Sequence, residues 1–408
     1  MSNTLVTIDM VTREALRIAH EKCQFISTTD RQYDSSFAKT GAKIGASLRV
    51  RKPNQYLRTQ GTRVMDVQEQ DEQTSTVTVA TQDHVDMRFN SAELALSLDE
   101  LSKRYIEPAV SSLVSAIEGD YLAYATKKTY NVVGTAGTAI TDLTAPGLAR
   151  ARLNQMLAPK DRNRAIQMDS VTMAGLVKGV AAYFNPSGAI SEQYREGLVA
   201  RTSMADYYEN ERVWSLTNSS DVTVTTAAAA AVTDGGTNIT LASVASATTA
   251  GMVFTVDGVY ACHPETKQSL GYLQPYVVIT GGATTQTVSP ATILTGPRQN
   301  VCSAASAQLA TTAYNGTAVA VTFFGAASTT YAQPLMYHKE AFQFVTADLP
   351  LMDDAHKCVR RSQDGLSLRV WQASDIRNDE LLMRIDILYG MAALRPEWAC
   401  RMIGAASA

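Results

Sequence analysis

The chain has 408 residues, 45% hydrophobic and 18% charged, with a net charge of -3; at ~150 residues per domain the length suggests two to three domains. The mildly acidic balance excludes a basic nucleic-acid binder held by counterion release. Five scattered cysteines (Cys23, Cys262, Cys302, Cys358, Cys400) without a CxxC pair exclude a disulfide framework or a zinc knuckle and read as reduced thiols. No apolar run reaches the ~18 residues of a membrane span, and Asp9 and Glu14 stand where a signal peptide would be basic and then apolar.

The N-terminal 26 residues predict an amphipathic helix capped by Asp9. Ile8, Val11, Ala15, Ile18 and Ala19 lie on one face, and Arg13, Glu14, Arg17 and Glu21 are turned to water or a partner. It docks either on its own domain or elsewhere. The polar stretch Ser27 to Lys39 predicts an extended arm.

Residues 41–91 predict a long hairpin, outgoing over Ala42 to Arg51 and returning over the alternating run Thr74 to Phe89. Its charges are segregated. Lys43, Arg49, Arg51, Lys52, Arg58 and Arg63 come first, and Asp66, Glu69, Asp71 and Glu72 follow. Such segregation marks either a solvated loop or an arm whose opposite charges steer docking on a neighbouring copy. A ten-residue strand spans ~33 Å, against a radius of gyration near ~22 Å for a globule of this length.

Ile106, Val110, Leu113, Ile117, Tyr121 and Tyr124 form one apolar stripe and predict a long spine helix. Pro108 marks its start, and Lys127 and Lys128 suit its C-terminal dipole. Residues 140–221 predict mixed α/β structure. It comprises a helix from Pro146 with Leu148, Leu153 and Met156 inward, a strand over Ala165 to Met168 and a helix over Val171 to Tyr183.

The charge deficit sits in one block. Val222 to His338 holds five charged residues, Asp234, Asp257, Glu265, Lys267 and Arg298, and the other 70 give the remaining 291 residues an ordinary 24%, near the usual ~25%. Runs rich in β-branched and aromatic residues (Thr223 to Thr226, Ile239 to Leu241, Met252 to Val256, Tyr276 to Thr280, Thr317 to Phe324) alternate with turn dipeptides. They predict a small β-barrel or sandwich inserted into the α/β domain, the alternative being a Thr/Ala/Ser-rich linker. Strands over Tyr331 to Val345, Gly365 to Trp371 and Leu381 to Tyr389 complete the chain, the last closed by Gly390 and Pro396.

Catalytic and metal-site motifs are missing: no GxGxxG, Walker loop, HExxH or GxSxG. His263 and Glu265 after Cys262 lack the Pro-Cys-x-x-Cys of a zinc deaminase and read as a turn. Asp353, Asp354 and His356 form the one carboxylate–imidazole cluster, in a turn context.

The order of parts resembles the major coat proteins of tailed bacteriophages with the Hong Kong 97-type capsid fold, in the branch of short-tailed enteric phages that carries an inserted β-barrel. The residues that carry the resemblance are Arg384-Ile385, Tyr389-Gly390, Ala393 and Arg395-Pro396-Glu397. Weaker similarity lies in Tyr194-Arg195-Glu196-Gly197 with Arg201 and Ala205-Asp206, and in Val253-Phe254 to Tyr260 and Tyr276 to Thr280. The resemblance implies an α+β fold with an N-terminal arm (1–40), an extended hairpin loop (41–91) and a peripheral domain with the spine helix (92–139). The first part of an axial domain (140–221), an inserted β domain (222–330) and the completion of both domains with a C-terminal strand (331–408) follow.

It further implies a major capsid protein, not an enzyme and without cofactor or metal. Such a protein assembles as hexamers and pentamers of an icosahedral shell around double-stranded DNA held without sequence preference. The partners implied are scaffolding protein, portal protein and decoration proteins, with assembly in the bacterial host cytoplasm and no membrane. Arg49, Arg51, Lys52, Arg58, Arg63, Asp66, Glu69, Asp71 and Glu72 are the expected intersubunit residues, and Arg13, Glu14, Arg17 and Glu21 the expected scaffolding contact. The runner-up is an encapsulin-like compartment shell around a protein cargo.

Overall fold

Tertiary contacts in the computed structural model group the chain into two units, one of residues 1–50, 74–122 and 342–394, the other of residues 51–73, 123–341 and 395–408. The structure describes residues 8–34, 47–61, 65, 67–68, 72–90, 102–180, 205–220, 222–225, 232–242, 248–306, 309, 312–313, 319–352, 357–375 and 380–405.

The first unit is organised by the strand Glu380–Ala393. Along one edge it pairs antiparallel with Thr81–Asn90. Along the other it pairs first with Leu366–Asp375 and then, past Ile387, with Phe342–Ala347. The strand Lys357–Gln363 extends the sheet beyond Leu366–Asp375. Helix α1 (Ile8–Lys22) buries Val11, Ala15, Leu16, Ile18 and Ala19 against the Lys357–Gln363 and Leu366–Asp375 strands. This amphipathic face therefore docks within its own subunit. Asp9 is not its cap. It lies in the first turn, where the helix dipole favours an acid, and pairs with Arg13 at 3.0 Å and Arg361 at 2.6 Å.

The polar stretch after α1 is not a free arm as far as Asp34. A short helix α2 (Phe25–Thr28) is followed by a strand, Asp30–Asp34, that pairs parallel with Phe342–Ala347. The Gln343 amide donates to the Asp30 carboxylate at 3.3 Å across this ladder. Residues 35–46 of the expected arm and outgoing strand lie outside the described residues. The expected return strand is two strands. Thr74–Thr78 pairs with Ser47–Arg51, and Thr81–Asn90 joins the Glu380–Ala393 strand. Nor does Gly390 end its strand: it pairs with Val345 inside the ladder, where a Cβ would lie 2.3 Å from the Thr78 carbonyl oxygen. Glycine is required by close backbone approach.

The spine helix α3 (Glu107–Lys128) follows one π-helical turn, Ser102–Ile106, which takes up the chain before Pro108. Ile106, Val110, Leu113, Ile117 and Tyr121 of the predicted stripe are buried.

In the second unit a five-stranded sheet runs in the order Val132–Val133, Ala399–Met402, Leu335–His338, Arg164–Met168, Asp206–Glu209. Helix α4 (Thr144–Gln155) covers it through Ala145, Ala149 and Leu153. Leu148, expected inward, is 49% exposed, because the small residues Ala145 and Ala149 rather than Leu148 form the contact face. Helix α5 (Ser170–Val180) follows the Arg164–Met168 strand. The run expected as one strand from Tyr331 is broken by Pro334 and a 3-10 turn at Lys339–Ala341 into Thr330–Ala332, Leu335–His338 and Phe342–Ala347.

The nearly uncharged block is folded, which rules out the linker alternative for its described residues. Seven antiparallel strands form a sheet in the order Gly236–Thr240, Thr285–Thr292, Ser269–Thr280, Val253–Cys262, Ala320–Phe323, Thr223–Thr225, with Val301–Cys302 beside Val253–Cys262. Phe254, Val256, Tyr276, Val278, Val288 and Phe323 fill its core, with Trp214 and Leu216 packed in. Tyr130, Val132, Val253, Val277, Tyr331 and Ile403 form a second cluster that joins this sheet to the five-stranded one.

Candidate assembly surface

The described residues of 51–73 include the two limbs of a loop, joined at their base by backbone and charge. The Lys52 N–H donates to the Gln73 carbonyl at 2.8 Å, and Arg51 bridges Glu72 at 3.1 Å. The Gln68 amide ties the two limbs: its oxygen accepts the Leu57 N–H at 2.8 Å and its nitrogen donates to the Leu57 carbonyl at 2.6 Å. Two of the segregated charges thus neutralise one another within a single chain.

The loop presents apolar side chains to water. Tyr56 is 56% exposed, Met65 86% and Val67 78%, with Leu57 beside them. Arg58 is exposed and donates to Gln60 at 3.3 Å. Arg49 is exposed on the Ser47–Arg51 strand, and Lys52 is half-buried. Arg63, Asp66, Glu69 and Asp71 lie outside the described residues.

Two clefts flank the loop within the second unit. One, of about 420 Å³, is lined by Lys52, Gln73, Tyr130, Arg298, Arg395 and Trp398. The other, of about 760 Å³, is lined by Leu57, Gln68, Gln73, Asp234, Ile293 and Arg298. Arg395 lies over the Trp398 ring, 4.1 Å from its centroid, and the Trp398 indole N–H donates to the Met156 carbonyl at 3.1 Å. Burial, with Glu397 nearby, pushes the Tyr130 phenol well above its ordinary pKa. Cys262 also reaches the smaller cleft; burial first, then Cys302, pushes its thiol up to about 12, so it is no nucleophile at neutral pH. Lys52 of this cleft is singled out by the segregated charge of the hairpin, and Arg395 and Glu397 by the coat-protein resemblance; the aromatic residues Tyr130 and Trp398 have no sequence signal.

The four α1 charges expected to meet scaffolding protein, Arg13, Glu14, Arg17 and Glu21, are engaged within the helix. Arg17 bridges Glu14 at 2.6 Å and Glu21 at 2.5 Å, and Arg13 bridges Asp9. Arg13, Arg17 and Glu21 are exposed and Glu14 is half-buried, on the side away from the buried face. His263 is a turn residue, its Nδ1 accepting the N–H groups of Glu265 and Thr266 at 3.2 Å each. Asp353, Asp354 and His356 lie outside the described residues. Among the described residues no group of three His, Cys, Asp or Glu side chains could hold a metal ion, and no helix is long and apolar enough to cross a membrane.

Residues 71–404 match the family model of the P22 coat protein, gene protein 5. The chain belongs to the P22 coat protein family. It is a major capsid protein of a phage virion, a subunit of an icosahedral shell, built of mixed helix and sheet. The match favours the coat reading over the compartment-shell alternative.

Solved structures similar to it include that of Mycobacterium phage Che8, at 8% identity over 91% of this chain and 88% of that one with a TM-score of 0.45. The capsid of cyanophage P-SCSP1u aligns at 10% identity over 93% and 87% with a TM-score of 0.45. The capsid of Ralstonia phage GP4 aligns at 9% identity over 93% and 86% with a TM-score of 0.43. No curated protein matches the sequence.

Proposed function

We propose that this P22-family coat protein builds its shell from hexamers and pentamers, guided by a scaffolding protein and interrupted by a portal protein. The shell forms in the host cytoplasm and encloses double-stranded DNA that it does not bind by sequence. The protein acts as a structural subunit and not as an enzyme, with the uncharged block as an inserted β domain. Its net charge of -3 suits a container from which DNA must leave again.

The observation that carries the self-assembly reading is the 51–73 loop, which exposes Tyr56, Leu57, Met65 and Val67 beside Arg51, Arg58 and Glu72. Exposed apolar side chains set among charges are the composition of an interface. A neighbouring copy covers them in the shell. The face that carries Arg13, Glu14, Arg17 and Glu21 is the surface offered to scaffolding protein.

Negative-stain imaging of purified chain, with and without its scaffolding protein, tests the reading. Closed shells are expected from the wild type. A folded, unassembled subunit is expected from a variant carrying Arg49→Glu and Arg58→Glu. Unchanged particle yield from that variant would overturn the assignment of the loop to a subunit contact.

A further inference from the structure

Two of the five cysteines meet inside the second unit. The Val253–Cys262 strand pairs antiparallel with Val301–Cys302, Tyr260 standing opposite Cys302 and Ala261 opposite Val301. The Cys262 N–H donates to the Asn300 carbonyl at 2.9 Å. Cys302, two residues beyond Asn300, therefore shares the face of the ladder that carries Cys262. Its Sγ leans toward Cys262. It lies 4.0 Å from the Ala261 carbonyl oxygen and hydrogen-bonds with the Cys262 thiol and with Ser269, the residue paired with Cys262 on the neighbouring strand.

The two thiols differ in access. Both side chains are buried, but Cys262 reaches the wall of the cleft of about 420 Å³, beside Pro264, Gln274 and Asn300. That space is far more than a peroxide molecule fills. A small neutral oxidant entering the cleft meets Cys262 first, with Cys302 already in contact to resolve the product.

We propose that Cys262 and Cys302 are a peroxide-sensitive dithiol that closes to a disulfide between the Val253–Cys262 and Val301–Cys302 strands. The Cys262 thiolate attacks one peroxide oxygen. The O–O bond breaks, and the departing hydroxide takes a proton and leaves as water, giving the sulfenic acid. The Cys302 thiolate then attacks the Cys262 Sγ, the S–O bond breaks, and the second hydroxide leaves as water. Two thiols lose two electrons and two protons, and one peroxide becomes two waters. Burial raises both thiols, so the pair is a poor nucleophile at neutral pH and closes slowly there. The link clips a strand of only two residues to the long strand beside it. It needs nothing from the self-assembly reading.

The test treats the full folded chain with hydrogen peroxide. Cleavage after Lys267 and Arg298 puts the two cysteines on separate peptides. A disulfide between them then appears as one linked species, two hydrogens lighter than the sum, that a phosphine reductant separates. This link should hold most of the oxidised Cys262, and its rate of formation should rise about tenfold per pH unit between pH 7 and 9. Cys302→Ala should send Cys262 on to the sulfinic acid, and Cys262→Ala should slow loss of the Cys302 thiol by about tenfold or more. Peroxide in strong urea should instead scatter links among the cysteines. Three results in the folded wild type would each overturn the proposal: Cys262 as sulfinic acid with Cys302 still free, links from Cys262 to another cysteine or a second chain, or both thiols still reduced after overnight treatment at pH 9.

Discussion

The carboxylate of Glu118, in the middle of α3, accepts the backbone N–H of Phe25 at 2.7 Å. The same oxygen accepts the N–H groups of Gln24 at 2.6 Å and Ile26 at 3.3 Å, and Glu118 is fully buried. It satisfies the donors at the start of α2, while the Phe25 ring packs 4.7 Å from Tyr121, one turn further along α3. The Glu118 carboxylate and the Phe25–Tyr121 contact thus fasten the N-terminal segment to the spine helix, together with Lys22, 3.8 Å from Glu107. Glu118→Ala leaves buried donors unpaired and should cost about 2–4 kcal/mol. Glu118→Gln keeps an acceptor and should cost less. Urea unfolding of the three proteins checks the order, and identical midpoints would contradict it.

Arg369 and Asp386 form a two-bond pair at 3.0 and 2.5 Å between adjacent strands, with Arg384 3.5 Å from the same carboxylate. Both members are buried. Arg369→Met alone should cost about 3–5 kcal/mol, because it strands a buried carboxylate. Arg369→Met with Asp386→Leu should recover much of that loss. A double-mutant cycle in urea measures the coupling; a double variant no more stable than the single one would refute it.

Gly390→Ala should destabilise the first unit by about 1–3 kcal/mol, the usual cost of overpacking, since the added carbon would meet the Thr78 carbonyl. Gly119→Ala is the control: it is a helical glycine with nothing within 4 Å of its Cβ position and should be neutral or stabilising. Thermal melts of the two variants should move in opposite directions.

Burial pushes the Asp161 carboxyl upward, but the Asn163 N–H and the His338 ring, 2.9 Å away, outweigh it and hold the carboxyl below its ordinary pKa. A depressed carboxylate stabilises the fold above its unfolded pKa of ~3.9, and that contribution is lost as pH falls through the folded value. Between pH 6 and 3 the wild type should therefore lose more stability than Asp161→Asn. Asp161 is 42% exposed, so the difference should be small. Parallel slopes in urea midpoint against pH would contradict the linkage.

Elements that rest on local periodicity were legible in the sequence. The stripe from Ile106 to Tyr121 predicted the spine helix because each buried residue recurs at helical spacing, and the β-branched runs around Phe254 and Tyr276 predicted strands. Elements that rest on a distant partner were not legible. Asp30–Asp34 has no alternation of its own and is a strand only because Phe342–Ala347 lies beside it. Gly390 looked like a strand breaker because its reason, Thr78, lies more than three hundred residues away.

Glu118 had one available signal: an acid inside the buried arc that also contains Val114, Tyr121 and Leu122. Such an acid needs partners from outside the helix. The charged loop was visible as segregated charge, but the Arg51–Glu72 bridge was not, since segregation says nothing of which charges meet. The basic wall of the cleft combines Lys52, Arg298 and Arg395, which only the fold brings together.

The sheet around Glu380–Ala393 has a consequence for synthesis. Asp30–Asp34 leaves the ribosome early, and its ladder partner Phe342–Ala347 begins 308 residues after Asp34. At roughly 5–20 residues per second, the interval is on the order of 15–60 s. Throughout it, the apolar face of α1 has none of the Lys357–Gln363 and Leu366–Asp375 surface on which it finally rests. A nascent coat subunit therefore carries an uncovered amphipathic helix for most of its translation. The order of synthesis keeps the first unit's sheet incomplete, and the subunit unready to meet its neighbours, until nearly the whole chain has been made.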